Sequence, residues 1–275
     1  MTITARHALI TGGSRGIGRG IALKLAEQGV HVAINYLKDE ASAKSTLEQV
    51  RARGADGFIV QADVAEPAQV ERMFARTRDE FGSLDIFIAN ARTDAPTFYA
   101  PPLSISLDQW DTAMDSQARA FLVGVRQAVT IMPDGGRIVA ITYTPGGRCG
   151  GWQSWIAMGA AKAALESNMR YFGVALAPRG ITVNAISPGW VEDTVLNTLP
   201  DAAQKLIRDH QRNGWTPMRR LGTPADIGNV VTLVCSQEAG WITGQTIIAD
   251  GGVSLMDPMV PIEFQQPELQ PATAS

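Results

Sequence analysis

Thr11-Gly12-Gly13-Ser14-Arg15-Gly16-Ile17-Gly18 stands between a short apolar run, His7–Thr11, and a helical pattern, Ile17–Gln28. Glycines at 12, 16 and 18 let the chain turn sharply and bring its backbone against a ligand. The helix that follows presents free N–H groups and the positive end of its dipole at the same point. Strand, glycine turn and helix in that order predict a dinucleotide pyrophosphate site. Gly12, Ser14, Arg15, Gly16, Ile17 and Gly18 are its candidate contacts.

Outward from this turn the pattern repeats. Apolar β-branched runs recur at His31–Asn35, Gly57–Gln61, Leu84–Ala89, Gly136–Thr142, Ile181–Ile186 and Gln245–Ala249. Helical patterns lie between them at Glu40–Arg53, Pro67–Phe81, Leu107–Ile131, Ile156–Ala177 and Ala225–Cys235. This alternation predicts an α/β fold of Rossmann type, a doubly wound, seven-stranded parallel sheet with helices on both faces. Residues 1–256 read as a single domain, and 257–275 as a tail containing Pro258, Pro261, Pro267 and Pro271. The tail is either frayed or an arm on a neighbouring subunit.

Composition narrows the function. A chain of 275 residues, 45% hydrophobic and 19% charged, is not a disordered one. The net charge of -3 comes with no basic tract, so no nucleic-acid partner is expected. Cys149 and Cys235 form neither a disulfide framework nor a zinc motif, and His7, His31 and His210 lack ligand spacing, so no metal is expected. Met1 to Ala8 lacks the layout of a signal peptide, and no apolar run approaches the ~20 residues of a membrane span. The expected location is cytoplasmic.

The Gly-x3-Gly-x-Gly turn is followed in order by Ala62-Asp63-Val64, Asn90-Ala91, Ser187-Pro188-Gly189, and Gly244-Gln245 through Asp250-Gly251-Gly252. Over residues 6–256 this series resembles the short-chain dehydrogenase/reductase family. The resemblance implies that Asp63 and Val64 hold an adenine, and that Asn90, Ala91, Pro188 and Gly189 border a nicotinamide cofactor. It gives Val191 and Thr194 the carboxamide. The second strand ends in Asn35-Tyr36-Leu37-Lys38 without the acid that binds a ribose 2′-hydroxyl in NAD enzymes. Arg15 and Lys38 can instead neutralise a 2′-phosphate, so NADP (NADPH) is the expected cofactor.

The family's common site spaces its proton-donating Tyr and its Lys as Tyr-x3-Lys. Here Lys162 is present, but the Tyr position is Met158, and Gln117 stands at the family's Asn. The run from Met158 to Glu166, with Asn168, Arg170 and Tyr171, is more similar to bacterial enoyl-acyl-carrier-protein reductases, which space the pair Tyr-x6-Lys. That position is Trp155, and a further tyrosine of the pattern matches Tyr143. The resemblance therefore implies Tyr143, Trp155 and Lys162 as catalytic residues and a substrate pocket lined by Tyr143, Trp152, Trp155 and Met158. At helical spacing Trp155, Met158 and Lys162 share one face.

Tryptophan donates a hydrogen bond but no proton. Enolate stabilisation needs only donors and a cation, so reduction of a C=C is expected rather than of a ketone. The expected substrate is an enoyl thioester on CoA or on an acyl carrier protein. Two alternatives stand: a 3-oxoacyl or other carbonyl reductase using Tyr143 as its acid, and an NADP-binding pseudoenzyme. Arg92, where the family has glycine, contacts a phosphate or faces solvent. The Gly146–Gly151 bend is expected to shape the pocket rim, and Pro200–Thr216 to form a lid. Ala160, Ala161, Ala163 and Ala164 permit close helix approach, and a homotetramer is expected.

Overall fold

The computed structural model describes residues 3–93, 99–143, 154–193, 196–199, 201–257, 259–260 and 262–265. Its strands are β1 (His7–Ile10), β2 (His31–Tyr36), β3 (Gly57–Gln61), β4 (Ile86–Ala89), β5 (Arg137–Ile141), β6 (Thr182–Pro188) and β7 (Thr246–Ala249). They form one parallel sheet in the order β3-β2-β1-β4-β5-β6-β7. The order reverses between β1 and β4, which opens a crevice beyond their carboxyl ends. The helices are α1 (Gly16–Ala26), α2 (Glu40–Arg51), α3 (Pro67–Phe81), α4 (Leu107–Met114), α5 (Ala120–Ile131), α6 (Ile156–Leu176), α7 (Asp201–His210), α8 (Pro224–Cys235) and α9 (Ile262–Gln265).

Successive strand residues point to opposite faces of the sheet, and both faces are apolar. Ala8 and Ile10 of β1 join Ile21, Leu25, Val50, Ile227 and Val231 in one core under α1, α2 and α8. Leu9, between them, joins Val70, Phe74, Phe121, Leu165 and Met169 in the other, under α3, α5 and α6. Side chains start several helices. Asp39 accepts from the Ser42 amide at the head of α2, and Ser106–Gln109 and Thr223–Asp226 form reciprocal caps on α4 and α8.

Three sequence expectations change. The helix expected over Leu107–Ile131 is divided by a π turn, Asp115–Arg119, which widens the helix where Ser116 and Gln117 enter the interior. Trp155 stands just outside the helix, because α6 begins at Ile156 and Trp155 is its N-cap, at φ -109 and ψ 11, yet it lines the cleft together with Met158 and Lys162. The expected lid contains α7 and a second π turn, Gln211–Trp215, ended by Gly214 at φ 99. Of the tail, Gln265 closes a small loop by donating to the Asp257 carbonyl at 2.7 Å.

α1 and α8 approach through two glycines. A Cβ on Gly20 would lie 2.3 Å from the Pro224 carbonyl oxygen, and one on Gly228 would lie 2.6 Å from the Gly20 oxygen. Gly20→Ala should therefore lower stability by roughly 1–3 kcal/mol, read as a fall of several degrees in Tm. An unchanged melting curve refutes this account of the helix contact.

Candidate active site

The cleft at the strand ends has a volume of about 840 Å³. One wall is the glycine turn, held by buried and half-buried polar side chains. The Asn35 carboxamide, 2% exposed, accepts the Gly12 amide at 3.1 Å and donates to the Ala62 carbonyl at 3.0 Å. Asn90 donates to the carbonyl oxygens of Thr11 at 2.9 Å and Gly12 at 3.1 Å. Arg19 and Thr46 both donate to the Ser14 carbonyl. A Cβ on Gly18 would meet the Gly12 oxygen at 2.2 Å, so only glycine allows this closure. α1 then starts with no side-chain cap and no acid in its first turn, leaving its leading amides for an anion.

Along the cleft the structure brings together Gly12, Ser14, Arg15, Gly16, Ile17, Gly18, Lys38, Asp63, Val64, Asn90, Ala91, Pro188, Gly189 and Val191. Trp152 and Thr194 lie outside the described residues, as do Cys149 and the Gly146–Gly151 bend. Asp39 also borders the cleft, but its carboxylate is taken by the Ser42 amide at 2.9 Å and hydroxyl at 2.7 Å. These bonds hold it below the usual carboxylate range.

At the other end Lys162 points in from α6. It is 6% exposed, and its ammonium donates to the Ile141 carbonyl at 2.5 Å. Burial lowers its pKa to about 7; the Arg92 guanidinium adds to the fall and Glu166 opposes it. Tyr143 sits over the first turn of the same helix, where a Cβ on Gly159 would come within 3.2 Å of its hydroxyl. Burial, with the Glu166 charge second, pushes this phenol up to about 12.

Trp155 lies edge-to-face against Tyr143 at 5.8 Å and against Tyr99 at 6.3 Å between ring centroids. Met158 borders the cleft but is packed with Ala113, Ala157 and Ala161. Gln117, 2% exposed, donates to the Ala91 carbonyl at 3.2 Å from the π turn.

Three groups escaped the sequence reading. Asn35 was readable as a lone polar residue within a buried strand, which must find partners. Tyr99 carried no local signal. Glu166 was visible only as part of a helix pattern; its hydrogen bond with Thr142, donated at 2.7 Å, joins residues 24 apart.

Among the described residues no group of acids, histidines and cysteines could hold a metal, and no helix is long and apolar enough to cross a membrane. The donor set suits a dinucleotide: uncapped amides at α1, cations at Arg15 and Lys38, and a buried cation at Lys162.

Comparison with known proteins gives this fold a context. Residues 12–254 match the family described as enoyl-(acyl carrier protein) reductase. The chain is 36% identical over 257 residues to 1-cyclohexenylcarbonyl-CoA reductase of Streptomyces collinus, covering 91% of this chain and 88% of that protein. It is 33% identical over 251 residues to a 3-oxoacyl-(acyl-carrier-protein) reductase of Staphylococcus aureus, covering 90% and 98%. A short chain dehydrogenase from Burkholderia cenocepacia, solved in complex with NADP, superposes with a TM-score of 0.83 at 31% identity, covering 92% and 99%.

The buried amine has a measurable cost. Lys162 loses its proton near pH 7 in the folded chain, whereas a free amine holds it to 10.5. The folded state binds fewer protons over that window, so stability rises with pH across it and the cost is full below it. Cofactor-free Lys162→Met should be more stable than wild type at about pH 6 by on the order of a few kcal/mol, read as a higher Tm. The advantage should shrink as pH climbs towards about 10. Parallel pH profiles of Tm for the two proteins contradict this.

Proposed function

The chain belongs to the short-chain dehydrogenase/reductase family, and on that footing we propose that it reduces the α,β-double bond of an enoyl thioester with NADPH. The thioester is carried on CoA or on an acyl carrier protein. The observation that carries the reading is that Tyr143 and Lys162 line one cleft, with the Tyr143 hydroxyl over Gly159, while the position of the family's usual proton donor is the packed Met158. A phenol at about 12 keeps its proton across the working range. It is suited to donating a hydrogen bond and poorly matched to general-acid transfer, which works best near the ambient pH. The name of the Streptomyces collinus relative supports the same chemistry, because a cyclohexenylcarbonyl thioester has its double bond next to the thioester carbonyl.

When bound, NADPH supplies hydride to the β-carbon. The chain's own residues do the rest. The α1 amides and Gly12 hold the pyrophosphate, Arg15 and Lys38 the 2′-phosphate, and Asp63 and Val64 the adenine. Asn90, Ala91, Pro188, Gly189 and Val191 border the remainder, and the family resemblance adds Thr194. Lys162 holds the nicotinamide ribose and lends positive charge beside it. Tyr143, with the Trp155 indole, donates to the oxygen on which enolate charge gathers, and such donors are strong where water is excluded. The α-carbon takes its proton from water. A homotetramer suits the outer side of α6, where Tyr171 and Val174 are 77% and 78% exposed beside small alanines.

The test is oxidation of NADPH with crotonyl against acetoacetyl thioester. Turnover of the enoyl substrate, with NADPH preferred over NADH, is expected. Turnover of acetoacetyl thioester alone moves the assignment to the carbonyl reductase that the Staphylococcus aureus relative represents, and turnover of neither to a pseudoenzyme.

Side-chain changes sharpen this. Tyr143→Phe should lower enoyl turnover by about 10²–10³ and leave NADPH affinity nearly unchanged. Trp155→Tyr should keep or raise turnover. If Tyr143→Phe is harmless while Trp155→Phe abolishes activity, the oxygen-side donor is Trp155.

A further inference from the structure

Three consecutive residues where β5 ends each meet a different turn of α6. The Ile141 carbonyl accepts the Lys162 ammonium at 2.5 Å. The Thr142 hydroxyl donates to Glu166 Oε1 at 2.7 Å. The Tyr143 hydroxyl lies over Gly159. Residues 159, 162 and 166 are spaced by three and four, so they form one stripe along the helix. The Thr142 amide also continues the sheet, donating to the Ile186 carbonyl at 2.8 Å, so this residue joins β5, β6 and α6.

We propose that Glu166 is a positioning residue of the active site: it locks the end of β5 onto α6 through Thr142, and its carboxylate is the counter-charge of Lys162. The role rests on the reductase reading only for its effect on turnover. Glu166 lies one helical turn beyond Lys162, the spacing at which side chains are neighbours. Of the charges that act on Lys162, Arg92 drives its proton off and Glu166 retains it. The other elements packed on α6 carry Asp108 and Asp111 on α4, the Asp115–Arg119 ion pair on the π turn, and Arg126 on α5. β5 carries only Arg137, at its opposite end, and β6 has no ionisable residue. Of these acids, Glu166 is the one that acts on Lys162. A glutamate here does two things that a neutral residue would divide: it accepts the threonine's hydrogen bond and balances a buried cation.

The charge can be read without any substrate. The chain has five lysines, Lys24, Lys38, Lys44, Lys162 and Lys205, so NMR of protein carrying isotopically labelled lysine gives a sparse spectrum, with Lys162 assigned from Lys162→Arg. Glu166→Gln keeps the acceptor and removes the charge. It should lower the Lys162 titration midpoint by about one unit, and Arg92→Gln should raise it. The clamp is read by kinetics with crotonyl thioester. Thr142→Val should reduce kcat roughly tenfold or more, with NADPH affinity held within about twofold, and Thr142→Ser should recover most of the loss. An unmoved midpoint in Glu166→Gln overturns the counter-charge. Wild-type kcat in Thr142→Val, or equal losses in Val and Ser, overturns the clamp. Wild-type protein inactive on crotonyl thioester counts against the enoyl reading, and the NMR midpoint still decides the role of Glu166.

Discussion

The Thr11 hydroxyl ties the sheet together where its strand order reverses. It donates to the Ile88 carbonyl at 3.3 Å and accepts the amides of Asn90 at 2.9 Å and Ala91 at 3.1 Å. β1 and β4 diverge from that residue onwards, one into the glycine turn and the other into the loop that carries Arg92. A parallel sheet must open at such a point, and the backbone groups released there need partners. Thr11, Asn35 and Asn90 supply them from side chains. The turn is therefore fixed before any cofactor arrives, and its free donors are the amides at the head of α1.

The second constraint is electrostatic. Lys162 enters a region with few polar partners, and the folded chain holds its charge weakly. A cofactor carrying phosphates changes that balance in the favourable direction, because nearby negative charge stabilises the ammonium. Cofactor binding and protonation of Lys162 are consequently coupled: each favours the other. The glycine turn and the buried lysine lie at opposite ends of one cleft, and a dinucleotide is long enough to satisfy both.

Most of the fold was legible in the sequence because its signals are local. Seven apolar runs, the turn glycines and the helical patterns between them each act within a few positions, and they located the strands and helices to within a few residues. The glycine turn was read in the same way, whereas Lys162 and Tyr143 were singled out through the family resemblance. What escaped depended on distant partners or on small backbone changes. A π turn adds one residue to a helical repeat and leaves the apolar periodicity of Leu107–Ile131 almost intact. The start of α6 at Ile156 follows from pairing between Trp155 and Ala100, a contact across the fold. Glu166 had no readable role until Thr142 was brought beside it.

Met158 and Tyr143 lie differently around the start of α6. Met158 packs among Ala113 of α4 and Ala157 and Ala161 of α6, with its edge at the cleft. Tyr143 approaches from the strand side and reaches the cleft through the turn of α6 that Gly159 leaves open; a larger side chain at 159 would meet its hydroxyl. The phenol thus enters over the helix instead of from it. In that position it is desolvated and keeps its proton, while Lys162 beneath can lose or gain one near neutrality. Ketone reduction needs an acid that gives up its proton in each turnover. Conjugate reduction needs an oxygen-side donor that stays put, and the carbon proton comes from elsewhere. A phenol raised by burial meets the second requirement better than the first, and the same burial that makes it a poor acid makes its hydrogen bond to a developing enolate stronger.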